Sequence, residues 1–124
     1  MPSWQRTLLA PTTKELAPSA SLVVDATGEG LGDGRYADMA LAFIDIEFID
    51  EVTVKVYRLG GPREDRLGVL DSTPVTELTQ EGPWPVSWDT PPPPWLGLRL
   101  LLVAGASGGS IGLRVFNAMH TEEL

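Results

Sequence analysis

The sequence predicts an all-β domain: an antiparallel β-sandwich, jelly-roll-like, preceded by an extended N-terminal arm. Two observations carry that reading. Apolar and polar residues alternate at the two-residue period of a half-buried strand in three separate segments, around 52–57, 96–102 and 111–115. Thirteen glycines and eleven prolines cut the chain into short runs, and none of these runs holds a confident helical pattern. A length of 124 residues suits one domain with a single core. The division expected is an arm over 1–20, a sandwich over 21–119 and a tail over 120–124.

Residues 1–20 show no period. Pro2, Pro11 and Pro18 interrupt them, and Trp4, Leu8, Leu9 and Leu16 are scattered apolar anchors. Strand signals begin at residue 21. Within 36–48, Ala40, Ala42, Ile44, Ile46 and Phe48 are expected on one face, with Met39, Leu41 and Phe43 on the other. Asp45 and Glu47 then replace the apolar residues of that second face, so this end of the strand should reach solvent. In "EVTVKVYR", Val52, Val54 and Val56 should face the core, and Thr53, Lys55 and Tyr57 should face out.

A charged loop, "LGGPREDR", follows, and then two short, weak strands in "LGVLDS" and "VTELTQ". Pro83 and Pro85 confine "PWPVSWD" to an edge or a loop, because proline cannot donate to an interior ladder. Leu96, Leu98, Leu100 and Leu102 line one face of the next strand, and Ile111, Leu113 and Val115 line one face of the last. With "ASGGS" between them, these two read as a hairpin. The count is seven or eight strands.

The stretch "SLVVDATGEGLGDG" resembles the opening of a nucleotide-binding fold, but its spacing fails. A dinucleotide fingerprint needs glycines at relative positions one, three and six. Counting from Gly28 the sixth position is Asp33, and from Gly30 it is Arg35. Glu29 and Asp33 would also set negative charge where a phosphate should lie. The stretch reads as a turn.

Chemistry is thin elsewhere. The chain has one histidine, His120, and no cysteine, which removes thiolate metal sites and leaves any triad to a single residue near the end of the chain. The acidic run of Asp45, Glu47, Asp50 and Glu51, with Glu29, Asp33 and Asp38 nearby in sequence, raises a calcium hypothesis. Solvated charges at a strand end are the plainer reading. No metal, cofactor or catalytic residue is expected, and the chain is read as not an enzyme.

Seventeen acidic against nine basic residues give a net charge of −8, which repels nucleic acid and anionic membrane. No apolar run reaches the roughly 18 residues of a membrane span. The N-terminal segment lacks the basic start and apolar middle of a signal peptide.

Trp84, Trp88 and Trp95 fall within twelve residues, around "DTPPPPW". Three readings are open for them. They form a sugar-stacking platform, they anchor a partner, or they cover one end of the core while the proline run spans the sheets as stiff polyproline II. Trp4, Leu8 and Leu9 in the arm join Trp84, Trp88 and Trp95 as the candidate partner-binding residues.

The order of features resembles that of small structural proteins of tailed bacteriophages. Those features are Thr27-Gly28-Glu29-Gly30, the alternating strand 39–48, Val52-Thr53-Val54-Lys55-Val56, Trp84 to Trp88, Leu98-Arg99-Leu100, "GASGGS" and 111–116. The four-proline run and the "GPREDR" loop depart from that layout. The resemblance implies a capsid decoration, or cement, protein on the virion surface. Its partner would be the major capsid protein, and its own state a homo-oligomer, commonly a trimer. A carbohydrate-binding module, or a tail or head–tail structural protein, is the alternative.

Overall fold

A computed structural model describes residues 3–29, 37–89 and 93–121. The glycine turn from Gly30 to Gly34, Asp33 included, and Pro91 and Pro92 of the proline run lie outside the described residues.

Among the described residues nine strands form: β1 (Ser3–Leu16), β2 (Ser21–Glu29), β3 (Ala37–Asp50), β4 (Val52–Gly61), β5 (Gly68–Val69), β6 (Thr76–Leu78), β7 (Gly82–Ser87), β8 (Trp95–Ala104) and β9 (Gly109–Thr121). Among the described residues the only helical piece is a 3-10 turn at Glu64–Arg66. Sheet A has the order β1-β9-β3-β7, and sheet B the order β2-β8-β4-β5, with β6 also on β4. All pairings are antiparallel. The chain pairs as one folded ribbon, β1 with β9, β2 with β8, β3 with β7 and β4 with β5 and β6. Wound into two facing sheets, that ribbon is a jelly roll.

The core lies where the alternating faces meet. Val52, Val54 and Val56 of β4, Leu96, Leu98, Leu100 and Leu102 of β8, and Ile111, Leu113 and Val115 of β9 are all buried. Ala42, Ile44 and Ile46 of β3 complete the facing layer. Each valine or leucine so buried contributes roughly 1.5–3 kcal/mol of transfer free energy. Pro83 and Pro85 sit in β7, an edge strand of sheet A, as their missing donors require.

Four expectations are corrected. The expected arm is, over Ser3–Leu16, the edge strand β1, paired with β9 from Ser3–His120 to Leu16–Gly109. Register shifts at Thr7/Leu9 and Leu9/Thr12 break its two-residue period, which is why the sequence shows none. The expected tail begins inside β9, which runs through His120 to Thr121. Phe48 does not share the face of Ile46. A bulge between Ile46 and Phe48 turns the strand over, so Phe48 is exposed and Ile49, opposite Ile111, packs on the core.

Nor do β8 and β9 form a hairpin, since they lie in different sheets. The turn between them is a corner. Gly108 there has φ of 89°, open to glycine, and a Cβ on Gly109 would lie 2.5 Å from the carbonyl oxygen of Glu51. Two more corners meet it. Ser19 (φ 56°) takes the chain from β1 to β2, and Glu51 (φ 54°) takes it from β3 to β4. Ser19 N–H donates to Gly105 O at 2.8 Å, and Gly105 N–H donates to Glu51 O at 2.8 Å. Three sheet crossings are thus bonded to one another at one end of the sandwich.

Candidate functional site

The alternation that buries Val52, Val54 and Val56 carries Arg58 toward the same face, opposite buried Leu98. A guanidinium there needs partners, and it has them. Nε and Nη2 donate to the Asp71 carboxylate, the shortest contact being 2.7 Å, and Nη1 donates to Ser87 O on β7 at 3.1 Å. The Arg58 backbone N–H also donates to Asp71, at 2.8 Å. One side chain therefore ties sheet B to the β7 edge of sheet A. Hydrogen bonding from Arg58 holds the Asp71 carboxyl below its usual range, and the same bond raises Arg58. Each of the three guanidinium nitrogens donates within the chain, so the clamp reads as structure. The sequence reading missed it; the signal was an arginine continuing the inward register of V-T-V-K-V-Y-R.

Beside the clamp, Trp88 is buried and its Nε1 donates to Leu59 O at 3.0 Å. Trp84 is half-buried on β7, packs on the core, and donates from Nε1 to Gln80 O at 2.9 Å. Trp95 opens β8, half-buried, between Glu29 and Gly61. Leu8 is buried in the core and Leu9 packs on it. Trp4 stands in β1 opposite Met119. These six residues do not form one patch. β1 and β7 are opposite edges of sheet A, Trp95 belongs to sheet B, and Trp88 and Leu8 serve the core instead of a surface.

The acidic run is dispersed by the β3 bulge and the Glu51 corner. Among the described residues no three acidic or histidine side chains converge on a point that could hold a metal ion. Asp45 is instead paired with Arg114 across the strands, 3.0 Å apart.

That pair belongs to the most distinctive surface described, the outer face of sheet A. Three alternate rungs between β3 and β9 present Phe43 with Phe116, Asp45 with Arg114, and Phe48 with Gly112. The Phe43 and Phe116 rings stack with centroids 5.4 Å apart, and the Arg114 guanidinium lies 5.1 Å from the centre of the Phe116 ring. The Phe48 ring lies across Gly112, where a Cβ would collide with it.

No family model, curated protein or solved structure matches the chain. The functional reading therefore rests on this geometry. An open depression of about 380 Å³ lies beside the same face, lined by Pro11, Asp45, Glu47, Leu113 and Arg114. The Asp45–Arg114 pair forms part of its lining. An open aromatic face with a central ion pair is the kind of surface that another protein can contact.

Proposed function

We propose that the chain is a non-enzymatic virion structural protein of the capsid decoration type. It acts as a homo-oligomer, binds the outer surface of the capsid and clamps neighbouring major capsid subunits. The observation that carries the reading is the outer face of sheet A. Phenylalanine and arginine side chains, the residue types enriched in protein interfaces, are held there half-exposed on a rigid ladder. A net charge of −8 favours a protein partner over nucleic acid or an anionic membrane. The sugar-platform reading finds less support, because Trp88 is buried and the Trp84 indole N–H is bonded to its own chain.

The test is co-sedimentation of the purified protein with empty capsids of tailed phages. Wild-type protein should pellet with a matching capsid and raise its dissociation temperature. The double variant Phe43→Ala, Phe116→Ala should melt close to wild type but stay in the supernatant. Equal pelleting of the folded double variant would reject this face as the contact, and failure of wild type on every capsid tried would reject the function.

A further inference from the structure

A sandwich of two open sheets has four edges, and three of these carry devices that stop edges from pairing. β1 has Pro11 and two bulges, and β7 has Pro83 and Pro85. The far edge of sheet B is split between β5 and β6, which are two and three residues long. β2 has none of these. It holds no proline and runs opposite β8 from Ser21–Val103 to Glu29–Trp95 without a register shift. Among the described residues no strand pairs with its other side.

The ladder gives the direction of its backbone groups. Ala104 N–H donates to Ala20 O at 2.9 Å, one rung before Ser21–Val103. Bonded and non-bonded rungs alternate in an antiparallel pair. Leu22, Val24 and Ala26 therefore direct their N–H and C=O groups to β8, and those of Ser21, Val23, Asp25 and Thr27 point away from the sheet.

We propose that β2 pairs antiparallel with β2 of a second copy, about a twofold axis at Val23. Val23 then faces its own counterpart, and Ser21 faces Asp25 of the other copy. The charge pattern selects a second copy and this register. Two chains of net charge −8 repel, but Ser21–Val24 is uncharged, and the first charge, Asp25, is already held by Arg99 at 2.9 and 3.0 Å. Outward-pointing residues can bond only to outward-pointing residues. An axis at Asp25 would oppose two carboxylates and an axis at Val24 would set each Asp25 against an apolar Val23, whereas an axis at Val23 opposes two valines and sets each Asp25 against the Ser21 hydroxyl.

The apolar surface is self-complementary in the same register. Val23 is 53% exposed, and across β8 it continues into half-exposed Leu101. The twofold joins two such stripes into one. Leu22, opposite buried Leu102 yet 38% exposed, is covered by Val24 of the second copy. The contact is isologous, the kind that closes on itself as a dimer.

This pairing is independent of the function proposed above, because the isolated protein tests it without a capsid. Equilibrium sedimentation of wild type should show a reversible monomer–dimer mixture. Val23→Lys, which opposes two like charges, should weaken the dimer by about tenfold or more with the melting temperature unchanged.

The chain has no cysteine, so a single introduced one reports the register. At a bonded rung the Cα atoms lie about 5.5 Å apart, within disulfide range. V23C should form a linked dimer under mild oxidation, and S21C and T27C should not. The proposal is overturned by a wild type that stays monomeric or sediments as a trimer, by folded V23K that remains dimeric, or by S21C linking as readily as V23C.

Discussion

Arg58 and Asp71 are an ion pair at the margin of the core, with side chains only 21% and 10% exposed. The folded-state pKa of Asp71 lies below its ordinary 3.8, chiefly because the Arg58 side chain donates to the ionised form. Such a group contributes stability that is complete above the ordinary value and is lost as pH falls through the depressed one. Asp71→Asn should cost about 1–2 kcal/mol at neutral pH, the difference between a charge-assisted and a neutral hydrogen bond. Thermal melts from neutral pH to well below 3.8 should bring variant and wild type together as the wild type loses this pair. A constant gap across that range would show that Asp71 acts by shape alone. Two glycines make a second contrast. At Gly109 a Cβ meets the carbonyl oxygens of Glu51 and Asp50 at 2.5 and 2.7 Å, whereas at Gly112 its three nearest neighbours are all atoms of the Phe48 ring. Backbone cannot step aside and an exposed ring can. Gly109→Ala should cost about 1–3 kcal/mol, Gly112→Ala distinctly less, measured by urea unfolding.

At the scale of an element, β1 is the strand whose removal says most. It covers the outer edge of β9 and places Leu8 and Leu16 in the core. Deleting residues 2–17 would leave β9 as a bare edge and open one side of the core to water. The truncated chain should lose its cooperative melt by circular dichroism; a wild-type-like transition would mean that β1 is dispensable packing. Bulges decided what was legible here. Where a strand keeps strict period two, as in β4, β8 and β9, its inward residues could be read from the sequence before any fold was known. In β1 and in β3 two register shifts each change the parity, and no local pattern of residues announces an extra residue in one strand of a pair. The β8–β9 corner was misread for a related reason. Small residues signal a tight turn, but whether it closes a hairpin or crosses between sheets depends on partners far away in sequence. The six candidate contact residues are large apolar side chains. Size and apolarity alone do not separate Trp88, which the core absorbs, from Phe43 and Phe116, which the outward face of an alternating strand holds at the surface.

The whole molecule is dominated by contacts between distant parts of the chain, because β1 pairs with β9 and β2 with β8. Little stabilisation is available until both ends of the ribbon have met, and the three bonded corners form only when both sheets are in place. Refolding should therefore occur in milliseconds to seconds, with one dominant phase in stopped-flow tryptophan fluorescence. Relaxation in microseconds would require local structure that this topology does not supply.

The pairing of β1 with β9 also fixes how the molecule answers to force. Its rungs run from Ser3–His120 at one end to Leu16–Gly109 at the other, with hydrogen bonds perpendicular to the strands. Tension between Ser3 and Thr121 loads the first rung alone, then the next, and peels the strand away at low force. Tension between Ser3 and Gly109 draws the two strands lengthwise past each other and loads every rung together. Handles attached at these two pairs of positions should give very different rupture forces from one and the same interface, weak when opened from the end and strong when sheared along its length.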